Sequence, residues 1–238
     1  MQRGACLIMK NDISVFQQER RENRYTSLRG YFYAVVIIGS LLIIAGVLST
    51  KETFIFSNLL EIHSSNKLAL SNSSSNMHDF DTMFALLARV FSIIVLIWVY
   101  QAYKNITILA GQKSQWTSWW AVCSYFVPVL NLWRPWQVMQ EIIHKSTSEP
   151  FSQKKVGIYA AIWWYGLLLT NGYMYWTALE MRKLSTSDHQ WSEFINGFRQ
   201  MGYSTISYLL VIFFILWFTW RITSMQEIKI KTLKKREL

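Results

Sequence analysis

The polar residues best suited to bind a charged ligand lie inside an apolar run from Phe126 to Ser146, FVPVLNLWRPWQVMQEIIHKS. Arg134 is the strongest candidate, because a guanidinium at the depth of lipid headgroups can bind a phosphate or a carboxylate through two parallel hydrogen bonds. Glu141 lies two turns further along the same predicted helix, where it either completes a polar site or is simply solvated. The predicted contact residues for a protein partner or an anionic lipid headgroup are Asn131, Trp133, Arg134, Trp136 and Glu141.

Three more polar residues, Arg89, Gln101 and Asn171, fall inside apolar segments. An ionisable residue within a membrane span is a functional candidate, and these three could line a water-filled path in an oligomer. The alternative for Arg89 is that its side chain extends to the outer surface, near Asp79 and Asp81. The alternative for Gln101 and Asn171 is one interhelical hydrogen bond each.

Residue types used in catalysis do not occur in a recognisable arrangement. Glu141 and His144 have the i, i+3 spacing of half a carboxylate metal site, but the apolar blocks contain no second pair. Cys123 has no nearby histidine, and its apolar neighbours favour a small apolar filler over a nucleophile. The sequence has no glycine-rich phosphate loop, zinc quartet or serine elbow. We therefore predict no catalytic, cofactor-binding or metal-binding residue, and a protein that is not an enzyme.

Four apolar blocks must position these residues. The chain has 238 residues and is only 16% charged, compared with about 25% in soluble domains. Each block is long enough to cross a hydrocarbon core about 30 Å thick. The predicted fold class is an all-α integral membrane four-helix bundle at 30–222, between a polar segment (1–29) and a basic tail (223–238). Its spans are at about 31–50, 82–103, 156–179 and 203–222.

The distribution of Lys and Arg decides whether a fifth apolar block, Trp116 to Trp133, also crosses. Without that crossing, eighteen basic residues lie on one side and five on the other, whereas with it the numbers become eleven and twelve. Because excess Lys and Arg mark the cytoplasmic side, the pattern predicts a multi-pass protein of the bacterial inner membrane with both termini cytoplasmic. The net charge of +10 is dispersed beside the membrane, which favours anionic lipid over nucleic acid.

The segment 116–146, hereafter the motif loop, is therefore predicted to stay on the cytoplasmic face. Pro128 interrupts any helix that enters the bilayer, and Pro135 favours the start of a new helix that ends near Ser146. The apolar and polar residues of this helix fall on opposite faces. We expect a re-entrant or interfacial hairpin followed by an amphipathic helix, which either forms a binding site or only braces the bundle.

The two outer loops have different compositions. The 51–81 segment contains SNSSSN (71–76), which is typical of a flexible, solvated linker. Ser187 to Gln190 fits a capping box for an amphipathic helix whose apolar residues face lipid or the bundle. Those residues are Trp191, Phe194, Ile195, Phe198 and Met201.

The run from Pro128 to Glu141 resembles the PVLNLWRPxQVMxE hallmark of a bacterial multi-span membrane family catalogued as a domain of unknown function. The segments IWVYQAYKN (97–105) and IWWYGLLLTN (162–171) are similar to that family as well. The resemblance covers about residues 82–222 and implies a fold, not an activity. Ile143 and His144 stand where the family tends to have an aromatic and a basic residue, which argues against His144 as a family-wide ligand.

These observations favour a non-enzymatic binding, scaffold or regulatory module whose site lies on the motif loop. Its predicted partners are the lipid bilayer, anionic headgroups, a protein or a second copy of the chain. The alternative is an oligomeric pore or solute pathway, such as a membrane effector of a bacterial defence or stress module. Neither hypothesis requires a cofactor.

Overall fold

The computed structural model describes residues 25–62, 67–111, 114–147, 153–184 and 191–235. Within these ranges the chain is helical and contains no β-strand, which confirms the all-α prediction. The elements are α1 (Arg29–Ile62), α2 (Lys67–Ala110), α3 (Ser118–Cys123), a 3₁₀ turn (Leu130–Leu132), α4 (Arg134–Ser146), α5 (Gln153–Leu184) and α6 (Trp191–Lys235).

Three of the described helices are long and apolar enough to cross a membrane. They are α1, the Asn72–Ala110 part of α2 and the Ser192–Lys235 part of α6. Length and composition therefore mark the chain as a membrane protein. The fourth expected span, 156–179, lies within α5, a helix of 32 residues that is not among these three.

The long helices pack antiparallel. The helix α1 lies along α2 and α6, and α5 lies along α6. Hydrogen bonds from Thr26 to Asn105 and from Ser27 to Glu227 bring the start of α1 to the ends of α2 and α6. We call this the loop end, because the motif loop also lies there, and the opposite end the far end.

Two glycines let α1 approach its neighbours closely. A Cβ atom added at Gly39 would lie 2.7 Å from Leu216 Cδ2, and one at Gly46 would lie 2.6 Å from Leu209 Cδ2. Small residues at such positions allow helix backbones to pack tightly in a membrane. The contact between α1 and α6 thus depends on these two positions.

The prediction of a flexible linker at 51–81 is wrong. The helix α1 continues to Ile62 and α2 begins at Lys67, so residues 71–76 are helical. Phe56 and Leu60 of α1 form a second small core with Ile195 and Phe198 of α6, and Met77 of α2 packs against it. Such tertiary packing overrides the weak helix preference of serine and asparagine.

The amphipathic helix predicted after the capping box is the first part of α6, which runs without a break from Trp191 to Lys235. The capping box itself, at 187–190, lies outside the described residues. The rings of Phe56 and Phe198 are 4.9 Å apart, so the apolar face packs against the bundle, one of the two surfaces expected for it.

Candidate functional site

The helix α4 begins where Pro135 favours a helix start and ends at Ser146, which confirms the predicted amphipathic helix. Its apolar residues Val138, Met139 and Ile142 are fully buried. They lie in the main core, and α4 as a whole contacts α2, α5 and α6. The motif loop is thus part of the packed bundle.

Glu141 lies at the centre of a buried network and not on a solvated face. Its side chain is only 8% exposed, and its Oε2 accepts a hydrogen bond of 2.6 Å from the Tyr103 hydroxyl. Its Oε1 accepts bonds from the Gln115 N–H at 3.0 Å and from Lys145 Nζ at 2.7 Å. The Tyr103 hydroxyl in turn accepts the Trp116 N–H at 3.1 Å. One carboxylate therefore joins α2, the start of the motif loop and α4.

A second polar network holds the end of α4 between α2 and α6. Gln226 is fully buried and donates to Ser146 Oγ at 3.0 Å, while its oxygen accepts from Asn105 Nδ2 at 3.2 Å. Lys229 Nζ donates to the Lys145 carbonyl at 2.6 Å. These partners were not predicted from the sequence, although Tyr103 and Asn105 lie in the 97–105 segment that carries part of the family resemblance.

The start of α1 is tied to the end of α6 at the same end of the bundle. Glu227 accepts hydrogen bonds from the Tyr25 hydroxyl at 3.2 Å and the Ser27 hydroxyl at 2.7 Å, and Arg29 lies 3.6 Å from its second oxygen. Burial raises the pKa of Tyr25 well above its usual value, and the charge of Glu227 raises this pKa further. The phenol therefore stays protonated and donates.

Arg134 lies over the indole of Trp116, with its Cζ 4.3 Å from the ring centroid. Its Nη1 is buried and has no hydrogen-bond partner among the described residues. No carboxylate of the described residues forms an ion pair with this guanidinium. The start of α4 has neither a side-chain cap nor an acidic residue in its first turn. A cation thus lies at the positive end of a helix dipole, an arrangement that attracts anions.

The other predicted contact residues stay near Arg134. The Asn131 carbonyl accepts a hydrogen bond of 2.8 Å from Trp164 Nε1, whereas its side-chain Oδ1 is buried and unpaired in the described structure. Trp136 Nε1 donates to the Gly157 carbonyl at 3.3 Å, and Trp133 is exposed. These residues surround the start of α4, while Glu141 is bound within the network described above.

The structure does not pair Arg89, Gln101 and Asn171 with one another. Arg89 is exposed, and Ser49 donates to the Asp81 carboxylate that was expected near it. Asn171 donates to the Leu167 carbonyl one turn earlier in its own helix. Gln101 is buried, and its Nε2 has no partner among the described residues.

These helices and this loop define an all-α membrane protein with a polar network at one end. The chain belongs to the family DUF4328, a domain of unknown function, whose family model matches residues 65–226. The match includes the whole motif loop and confirms the family resemblance. A search of curated proteins and a search of solved structures each gave no match.

Proposed function

We propose that this protein is a four-span protein of the bacterial inner membrane whose motif loop binds an anionic lipid headgroup through Arg134. Both termini and the motif loop are on the cytoplasmic side, and the loop is a re-entrant hairpin. The protein acts as a binding or regulatory module and not as an enzyme. The observation that carries the proposal is the guanidinium held over Trp116 without a carboxylate partner in the described structure.

The packing of α5 against α6 supports the fourth span. The rings of Tyr159 and Trp217 are 5.8 Å apart, and the Thr177 hydroxyl donates to Ser204 near the far end. At about 1.5 Å per residue, the helix from Tyr159 to Thr177 is roughly 27 Å long, close to the hydrocarbon thickness. Because α5 follows α6 over this length, a membrane that α6 crosses is also crossed by α5.

The contacts of the motif loop support the hairpin. The loop starts beside Tyr103, at Trp116, and returns there through Glu141. Between these points Tyr125 reaches Trp164, with a ring distance of 5.2 Å. Trp164 lies roughly 10 Å further along α5 than Gly157, which Trp136 contacts. The loop thus enters the bundle by about two helical turns and leaves at the same end.

A lipid phosphate fits the chemistry around Arg134. The indole of Trp116 lies against the guanidinium, and a guanidinium can donate two parallel hydrogen bonds to one phosphate. Lysine would supply the charge without the paired donors. The basic tail beyond residue 222 adds attraction to an anionic leaflet, about 1 kcal/mol for each Lys or Arg near the surface.

Native mass spectrometry in mild detergent tests this proposal. We expect the wild type to retain phosphatidylglycerol in preference to phosphatidylethanolamine, and Arg134→Gln to lose roughly tenfold or more in affinity, because a charge-assisted pair is removed. Arg89→Gln is the matched control, since it removes an exposed arginine from α2. Arg134→Lys should retain part of the preference.

Equal retention of phosphatidylglycerol by wild type and Arg134→Gln would exclude the lipid site. A protein partner that is recovered with the wild type and lost with Arg134→Gln, without any lipid preference, would instead assign the arginine to a protein carboxylate.

A further inference from the structure

A cavity of 370 Å³ lies between α2, α5, α6 and the motif loop, and Arg134 is not among the residues that line it. Its walls include Phe91 and Val95 from α2, Tyr125 and Asn131 from the motif loop, and Trp163 and Leu167 from α5. The helices α2 and α5 make no extensive contact with each other, so the motif loop closes one end of the gap between them. The cavity is within the usual size range of small-molecule sites.

Three residues that line this cavity have buried polar atoms without a partner. The described part of the chain contains seven buried side-chain polar atoms without a hydrogen bond, and three of them are Tyr125 Oη, Asn131 Oδ1 and Trp163 Nε1. The other four belong to Thr50, Ser73, Gln101 and Arg134, none of which lines the cavity. The cavity is thus lined by three residues that each carry an unpaired polar atom.

Such atoms are costly in a folded protein unless something binds to them. A buried donor or acceptor without a partner loses its hydration and gains nothing in return. The indole N–H can only donate, the amide oxygen can only accept, and the phenol can do both. A molecule that satisfies all three must carry both a hydrogen-bond acceptor and a donor.

The rest of the lining indicates the remainder of that molecule. All fourteen described residues that line the cavity are uncharged, and most are aliphatic or aromatic. An ionised headgroup would be buried there without a counter-charge, which is costly. Phe126, Ser92 and Asn171 line the cavity and are exposed on the surface of the described chain. A ligand can therefore enter sideways from the hydrocarbon.

We propose that this cavity binds a neutral single-chain amphiphile whose head carries a hydroxyl and a carbonyl, as a monoacylglycerol does. The carbonyl accepts from Trp163 and Tyr125, the hydroxyl donates to Asn131, and the acyl chain lies against Val95 and Leu167. This inference rests on the proposed membrane placement of α5 and the motif loop but not on the anionic site, because the Arg134 guanidinium takes no part in it.

Tyr125→Phe is the sharpest test, because it removes only the unpaired hydroxyl and keeps the ring that packs on Trp164. In the detergent-purified full chain without added ligand, we expect the melting temperature to rise by about 2–4 °C, since an unpaired polar group is removed. The same substitution should weaken binding of 1-monododecanoylglycerol about tenfold. Tyr159→Phe, which removes a phenol that packs on Trp217, should change neither quantity.

If Tyr125→Phe raises the melting temperature and weakens ligand binding, the Tyr125 hydroxyl serves binding and not the stability of the fold. A lower melting temperature for Tyr125→Phe would mean that the hydroxyl supports the fold, and would overturn the proposal. Failure of 1-monododecanoylglycerol to stabilise the wild type would also overturn it, and would leave water as the occupant. If phosphatidylglycerol stabilised the protein more than 1-monododecanoylglycerol did, and this effect depended on Tyr125, the proposal that the ligand is neutral would be contradicted. Trp163→Phe, which removes the indole donor, should reproduce the affinity loss.

Discussion

At the scale of single residues, the buried polar groups of the loop end fall into two sets. Glu141, Gln226 and Asn105 have partners within the chain, and their contacts join helices that are distant in sequence. Arg134 and Asn131 carry buried polar atoms with no partner among the described residues. The first set stabilises the fold, and the second set belongs to the two ligand sites that we propose.

Glu141→Gln should destabilise the protein by about 1–3 kcal/mol, because it weakens three buried hydrogen bonds and removes the charge opposite Lys145. Thermal unfolding in detergent measures the change. Glu180→Gln is the matched control, since that glutamate pairs with Lys183 at an exposed position and such pairs contribute about 0–1 kcal/mol. Equal stability of the two variants would contradict the structural role of Glu141.

Some of these residues could be predicted from the sequence and others could not. Pro135 located the start of α4 because its fixed backbone angle and missing N–H suit that position. Glu141 could not be assigned, because the helical wheel places it among polar residues and its main partner, Tyr103, is 38 residues away. Only the packing of α4 against α2 shows that this carboxylate is buried.

At the scale of elements, the close packing of α1 on α6 and α2 contributes to the stability of the bundle. Gly46→Val would place a Cβ atom 2.6 Å from Leu209 and 2.9 Å from Phe84, so the helices must separate or repack. We expect a loss of about 1–3 kcal/mol in the free energy of unfolding, measured by SDS titration with circular dichroism. At Gly172 an added Cβ meets nothing within 4 Å. Gly172→Val should therefore be nearly neutral, and a loss of the same size there would contradict the packing explanation.

The positions of the long helices could be predicted better than their lengths. Apolar runs with few charges mark parts of α1, α2 and α6, and the helices lie there. The extensions past these runs, such as residues 71–76 of α2, have polar compositions that are also typical of loops. Met77, directly after these residues, packs against the small core around Phe56 and Phe198, a contact between distant segments that no local pattern reveals.

At the scale of the whole molecule, the proposed topology predicts which residues a membrane-impermeant maleimide can reach. In a chain without Cys6 and Cys123, single cysteines at Ser114 and Thr147 should be protected in intact cells and labelled after lysis. Cysteines at Ile62 and Lys183, both exposed at the far end, should be labelled without lysis. Labelling of Ser114 and Thr147 from opposite sides would mean that the motif loop crosses the membrane.

The weak apolarity of α5 has a consequence for biogenesis. This helix is not among the three described helices that are apolar enough to cross a membrane, whereas α6, synthesised directly after it, is. If α5 spans the bilayer, we expect it to insert together with α6 as a helical hairpin. It would then remain at the translocon until α6 has emerged from the ribosome. Release of the nascent chain before residue 203 would then leave α5 outside the lipid.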